Sequence, residues 1–365
     1  MLTVQIVIPC FTEQRWHSIL RAVRSAQHQT YAAEIVVVVD HNPRLAELLT
    51  SNIGNQVTIL PNRFSPGASG ARNTGAFAAN TELVAFLDDD TIADPDWVKH
   101  LVDAYVQCPS AVGVGGCVLP LWEIAVPRWF PDEFLWVVGA TPPGRPLSRV
   151  RNVWGSNMLV SRSAFMAAGG FCDSFGKCGH VSQPEDTELC VRMTAQVGSA
   201  TGWIFTPDAI VCHSIPPGRA TWSYFLRRCW SEGAGKSALA ARPGNGAKCL
   251  RDETTFVRTV LTKALTVNLA AAASGDGDAL AQAAAIVVGT GCAGAAFALA
   301  KLRPTIPRAG RIAQRVRSNT VSIVTEQPEQ ALKCADNSDL VSNDPAVSVA
   351  LRDDNVPAAL RRCQP

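Results

Sequence analysis

Several kinds of feature are missing from this chain, and each absence narrows its chemistry. None of its 12 cysteines forms a CxxC pair, and several lie inside apolar runs, so they predict mostly reduced, buried thiols rather than a disulfide framework. No Gly-Lys-Ser/Thr sequence follows the glycine-rich stretch at Pro61–Gly75, which excludes a P-loop there. The formal net charge is only +2, so there is no broad basic field, nucleic acid is not expected as a partner, and any phosphate chemistry must be local. An apolar run begins at Val4, leaving no room before it for a charged segment and a hydrophobic leader, so the front of the chain is expected in the cytoplasm.

What is present is a long chain with ample core material. At 365 residues and 47% hydrophobic composition it can build one large domain, alone or with appendages. VQIVIP, EIVVVVD, QVTILP and LVAFL read as strands, with helices expected around Ser18–Gln29, Leu45–Ser51 and Ala71–Ala79. Wholly apolar strands alternating with helices predict an α/β fold whose mostly parallel sheet is buried on both faces, with ligands at the carboxyl ends of the strands. AVGVGGCVLP, NMLVS and GWIFTPDAIVCHS add strands, whereas the Trp- and Pro-rich Leu121–Arg149 has no period and is expected to be irregular structure over the sheet. Helices are expected at PEDTELCVRM, Thr221–Ser237 and Thr255–Ala273. Ala281–Ala300 carries no charged residue, and its length matches the roughly 20 apolar residues that cross a bilayer. Its Ala and Gly content favours an interfacial or protein-packed helix instead. Arg303, Arg308, Arg311, Arg315 and Arg317 follow it and suit an anionic inner leaflet, and the polar tail from Ser318 reads as disordered. The boundaries expected are 1–220 for the α/β domain, 221–304 for a helical extension and 305–365 for a basic linker and tail.

In FLDDD, Asp88 and Asp90 lie two apart at the end of an extended run, so their side chains are expected to point the same way while Asp89 points elsewhere. Two converging carboxylates suit a hard divalent cation that keeps waters or phosphate oxygens in its other positions. A solvated acidic loop capping the next helix is the plain alternative. A phosphotransferase of the haloacid-dehalogenase type, with the first Asp as nucleophile, is a third reading, but Ile92 stands where that motif has Thr or Val. Arg72 and Asn73, at a helix start behind a glycine-rich turn, can approach a phosphate or can be an ordinary loop. Glu185 and Asp186 sit in a first helical turn after Pro184, where carboxylates are favoured in any case; a desolvated site would make Asp186 a general base. His213 ends an apolar strand as ligand or as structural residue, and Asn157 is a turn residue or a hydroxyl-binding amide.

Taken in order, VIP at Val7–Pro9, EIVVVVD, Asn62 with ARNTG, FLDDD, GSNM with AAGGF, PEDTELCVR and IVCH resemble the family 2 glycosyltransferases of the GT-A fold, inverting enzymes that use nucleotide-activated sugars. The resemblance covers about Val4 to His213, and PPGRATWSYFLRRCWSEGAGKSA is similar to a C-terminal helical extension of a bacterial subgroup. It implies that Pro9 and Asp40 line the nucleoside pocket and that Arg72, Asn73 and Asp88 serve the donor. Asp88, Asp90 and His213 would hold Mg²⁺ or Mn²⁺ through the diphosphate. Asp186 would be the base, with Glu185, Trp154 and Asn157 at the acceptor. Val39 precedes Asp40 where many members carry a second polar residue, so UDP-, dTDP- and GDP-sugars all stay open as donors. The implied acceptor is a glycan, lipid or metabolite, reached from the cytoplasmic side with inner-leaflet membrane contact. Two rivals are a catalytically silent GT-A scaffold subunit and a nucleotidyltransferase; the latter wants a glycine-rich loop after the first strand, and CFTEQRW has no glycine.

Overall fold

A computed structural model describes residues 1–172, 177–178, 181–182, 184–197, 202–241 and 254–302. The arginines from Arg303 onward and the expected tail at 305–365 lie outside the described residues.

The first half of the chain alternates as its pattern predicts. Strands β1 (Val4–Cys10), β2 (Glu34–Val39), β3 (Thr58–Pro61) and β4 (Leu83–Leu87) pair in parallel in the order β3-β2-β1-β4. Helices α1 (Trp16–Gln27), α2 (Pro43–Asn52) and α3 (Ala68–Ala78) connect them. The start of α2 is locally specified: Asn42 accepts a hydrogen bond from the Leu45 amide, and Pro43 occupies the first turn, where a missing N–H costs nothing. Both sheet faces are covered. Ile6, Ile8, Val37, Val39, Ala85 and Leu87 join a core with Ile19 and Leu45, while Val7, Val36, Val38, Val84 and Phe86 join another with Ala71, Phe165 and Met193. Successive strand residues face opposite cores, which is why these strands read as unbroken apolar runs. Pro9 fits a central strand because the β1–β4 ladder has already ended at Val7 opposite Phe86.

Beyond β4 the sheet becomes mixed. β5 (Thr91–Ala93), α4 (Trp97–Gln107), β6 (Gly113–Trp122), β7 (Ser148–Val150), β8 (Asn157–Ser161) and α5 (Arg162–Ala167) follow. A two-stranded ribbon of β9 (Lys177–Cys178) and β10 (Val181–Ser182), α6 (Glu185–Val197) and β11 (Trp203–Ile215) complete the α/β part. The order continues β4-β8-β6-β11-β5, with β8 antiparallel to both neighbours and β6 parallel to β11. Because β8 is inverted, its first residue, Asn157, lies opposite Leu87 at the end of β4. The start of one strand and the ends of the others therefore share an edge.

The expected irregular passage is more ordered than its composition predicts, and it packs elsewhere. It contains a 3₁₀ helix at Asp132–Val138 that ends at Gly139, whose φ of 78° is the left-handed conformation glycine tolerates best. Its aromatic residues stack on the C-terminal helices rather than lying over the sheet: Trp129 lies 4.3 Å from Trp222, and Phe130 and Phe134 contact Phe225. Those helices are α7 (Trp222–Ala240), capped by Thr221, a π-helical turn at Phe256–Leu261 running into α8 (Thr262–Ala273), and α9 (Gly277–Leu302). Gly233 lets α7 touch α9, since a Cβ there would lie 2.0 Å from the Ala293 carbonyl oxygen. Phe256–Ala273 and Gly277–Leu302 are both long and apolar enough to cross a membrane.

Among the described cysteines seven are free thiols, four of them buried, as reduced packing residues should be. Cys212 departs from that expectation and is disulfide-bonded.

Candidate active site

The carboxyl edge of the sheet gathers three groups of charged side chains. The first hangs on the turn after β4. The chain leaves extended conformation at Leu87, and the Thr91 amide and hydroxyl both donate to the Asp88 carbonyl, at 3.2 and 2.7 Å. Strand alternation therefore stops one residue before the acidic run, and Asp88 and Asp90 take different partners. Asp88 accepts from Arg72 Nη2 at 2.5 Å, whereas Asp90 faces Arg15 at 3.2 Å, His213 Nε2 at 3.5 Å and Arg219 at 3.5 Å. Asp89 is buried and accepts from Arg15 Nη1 at 2.6 Å.

These neighbours set the protonation of each acid differently. Burial pushes the Asp89 carboxyl up to about 7, with Arg15 only partly offsetting it. Burial also opposes ionisation of Asp90, but His213, Arg15 and Arg219 outweigh it and hold that carboxyl well below the usual range.

The second group joins residues expected at the donor to residues expected at the acceptor. Arg72, almost fully buried in α3, reaches Asp88 through one nitrogen and lies 3.7 Å from Glu185 Oε1 through the other. Its guanidinium carbon lies over Phe171 at 5.4 Å, and Gly155 leaves it room, since a Cβ there would come within 3.3 Å. Glu185 and Asp186 open α6. Desolvation pushes Glu185 up to about 7, aided by the charge of Asp186. Desolvation also raises Asp186, against hydrogen bonds from the Thr187 amide at 2.7 Å and the Gly155 amide at 3.4 Å. Both carboxylates, with Trp154, line a cavity of about 1710 Å³ that runs on toward the C-terminal helices.

The third group supports the loop after β3. Asp40 accepts from Asn62 Nδ2 at 2.6 Å, from the Gly67 amide at 2.7 Å and from His41 at 2.8 Å. Asn62 in turn accepts from Thr74 and from the Phe64 amide. Asp40 thus anchors the glycine-rich loop, and the Gly67 amide is engaged by it. Pro9 is buried in β1 opposite Val38.

Two expected contact residues turn out to belong to the frame. Asn73 is buried and exchanges two 2.8 Å hydrogen bonds with the Phe171 backbone, fixing the GGF turn rather than facing a donor. Asn157 is fully buried; it accepts from Trp97 Nε1 at 2.8 Å and donates to the Cys117 and Ala209 carbonyls at 3.0 Å, so it joins β8 to β6 and β11 rather than touching an acceptor. Both are short polar residues beside functional motifs, and sequence alone does not separate a ligand-binding amide from one that satisfies buried backbone. Conversely, Arg15 and Arg219 were not singled out. They lie in CFTEQRW and IPPGRA, just past the ends of β1 and β11, and a cation one loop beyond a strand end was the available signal.

As a metal site, the edge offers a limited donor set. Among the described residues no three of His, Cys, Asp or Glu gather around one point. Asp90 and His213 adjoin through Nε2 at 3.5 Å, a nitrogen that Arg219 Nη1 also approaches at 3.0 Å, so an ion there would replace that guanidinium contact. A carboxylate and an imidazole are donors that fit a cation completing its shell from diphosphate oxygens and water.

The family model for glycosyl transferase family 2 matches residues 5–167. A glucosyl-dolichyl phosphate glucuronosyltransferase of Haloferax volcanii is 33% identical over 245 residues, covering 65% of this chain and 77% of that protein. Succinoglycan biosynthesis protein ExoM of Rhizobium meliloti is 27% identical over 179 residues, 49% of this chain and 54% of that protein. Among solved structures, the mannosyltransferase PcManGT from Pyrobaculum calidifontis, in complex with GDP-Man and Mn²⁺, has a similar fold, with a TM-score of 0.54 at 19% identity over 82% of this chain and 87% of that one.

Proposed function

Because the chain belongs to glycosyl transferase family 2 and is a glycosyltransferase of the GT-A fold, we propose that it moves a sugar from a nucleoside diphosphate to a hydroxyl of a glycan, lipid or metabolite, with inversion. The observation that carries this reading is the span of Arg72, which contacts Asp88 and also lies 3.7 Å from Glu185. The residues expected at the donor are thereby held one guanidinium away from those expected at the acceptor.

Asp186 takes the proton of the attacking hydroxyl as the new C–O bond forms at the anomeric carbon. The bond from that carbon to the phosphate breaks on the opposite face, and its electron pair leaves with the nucleoside diphosphate. Burial raises the Asp186 pKa, which suits a general base working near neutral pH. Asp90 and His213 are the residues that would hold Mg²⁺ or Mn²⁺, and a bound cation would offset charge growing on the leaving diphosphate. Arg15 and Arg219 already balance Asp90 and supply further positive charge at that edge. The Mn²⁺ and GDP-Man of the similar mannosyltransferase support a metal-assisted nucleotide-sugar donor here. The two exposed apolar helices support attachment to a membrane, taken here to be at its cytoplasmic face.

The test is a thermal-shift screen of UDP-, dTDP- and GDP-sugars with and without Mn²⁺, followed by turnover of Asp186→Asn with the responding donor. Metal-dependent stabilisation by one donor, retained in Asp186→Asn while transfer is lost, is the expected result. No response to any donor, or near-normal turnover of the variant, overturns the reading.

A further inference from the structure

The chain between β7 and β8 is fastened at each residue from Asn152 to Gly155, and the fastenings converge on Asp186. Val153 lies in the core on one face of the sheet and Trp154 packs against the core on the other. Gly115 of β6 makes the first of these possible, since a Cβ there would lie 2.2 Å from Val153. Gly155 is buried, with its amide on Asp186 Oδ2 at 3.4 Å and the Arg72 guanidinium on its other side. Asn152 Nδ2 donates to the Thr187 hydroxyl at 3.1 Å, and Thr187 is the buried residue of α6 whose own amide holds Asp186 Oδ1 at 2.7 Å.

Each oxygen of the Asp186 carboxylate thus takes an amide from a different element, Oδ1 from α6 and Oδ2 from the β7–β8 loop. The last torsion of an aspartate is broad, so these two bonds fix the plane in which the carboxylate receives a proton. The Thr187 bond is local to the turn that carries Asp186. The Gly155 bond is not, and at 3.4 Å it is longer than the roughly 2.7–3.2 Å usual for N–H···O, so a small slip of the loop against α6 breaks it.

We propose that Asn152 is a positioning residue: through the Thr187 hydroxyl it holds the β7–β8 loop on α6, keeps the Gly155 amide on Asp186 Oδ2, and so sets the direction in which that carboxylate meets the reacting hydroxyl. This rests on the reading of Asp186 as the proton acceptor. Asn152 touches Asp186 through neither of its own atoms; it acts through the two residues on either side of the carboxylate.

The test reads release of nucleoside diphosphate from the donor that responds in the thermal-shift screen, with water as acceptor. Asn152→Ala and Thr187→Val should each lower turnover between about tenfold and a hundredfold, the larger figure being the cost of misplacing a reacting group by about 1 Å. The Michaelis constant for the donor should not change, and because Asn152 is exposed, its Ala variant should melt close to the unmodified chain. The double variant should lose no more than either single one, since both cut the same link, and Thr187→Ser should restore what Thr187→Val loses. In Asn152→Ala the rise of turnover with pH should also move to higher pH, because the Gly155 amide favours the ionised carboxyl. The charges facing Asp186, Arg72 from α3, Glu232 from α7 and the neighbouring Glu185, are left in place by that substitution. Unchanged turnover in Asn152→Ala, losses that add in the double variant, or a fall in turnover with an unmoved pH profile overturns the positioning role. Full turnover in Asp186→Asn would instead sink the reading of Asp186 itself.

Discussion

At the same sheet edge Asp90 and the pair Glu185–Asp186 have the same chemistry and opposite electrostatics. Asp90 lies among Arg15, Arg219 and His213 and stays ionised well below the ordinary carboxylate range. Glu185 and Asp186 lie against Arg72, which also pairs with Asp88, and desolvation raises both. A carboxylate surrounded by guanidiniums is fixed as a charge and suits binding, whereas one that is dry and sparsely paired can accept a proton near neutral pH. Divergent environments of this kind divide roles between identical groups.

The sharpest way to break the contrast is to remove the proposed base. Asp186→Asn should lower turnover by about 10²–10⁴, the usual range for general-base catalysis, with the thermal shift given by the donor kept. Removing Arg72 should act on Glu185 and on Asp88 at once and leave Asp90 with its own cations. Arg72→Met leaves Asp88 and Glu185 without their buried partner, and breaking such a pair costs about 3–5 kcal/mol, to be read from urea unfolding. Asn157→Ala touches neither pair but orphans Trp97 Nε1 and two carbonyls; it should cost about 1–3 kcal/mol, and if donor binding weakens in proportion the side chain has a role beyond the frame.

The smallest expected effect comes from pH alone, and its two readouts should slope in opposite directions. Glu185 has its pKa raised from 4.5 to about 7, so the folded state holds a proton that the unfolded state has released across that interval. Its contribution to stability is complete below pH 4.5 and is lost as pH rises toward 7, so the donor-free melting temperature should fall over that window. Turnover should instead rise with pH up to about 7, as the Glu185–Asp186 pair loses its proton, and level off above. A rate independent of pH between 5 and 8 would remove this pair from proton transfer, since a general base must titrate within its working range.

Much of this was legible from residues alone. EIVVVVD and LVAFL could only be strands covered on both faces, and they are. PEDTELC had to open a helix with its acids in the first turn, and Glu185 begins α6. What failed was direction within a turn and the purpose of buried amides. Asp88 and Asp90 take different partners beyond the strand end at Leu87, since twofold alternation holds only in extended backbone. Asn73 and Asn157 resemble ligand contacts in sequence because the same amide serves either use.

By itself, then, the sequence determined the layered α/β fold, the edge at which charge collects and the identity of the acids, since hydrophobic period and strand ends are local properties. Tertiary structure decided which arginine faces which acid, and so which carboxylate is held ionised and which is left to take a proton. It also joined the site to an apolar cavity, because Gly233 and Ala293 are 60 residues apart in the chain and meet only when α7 packs on α9.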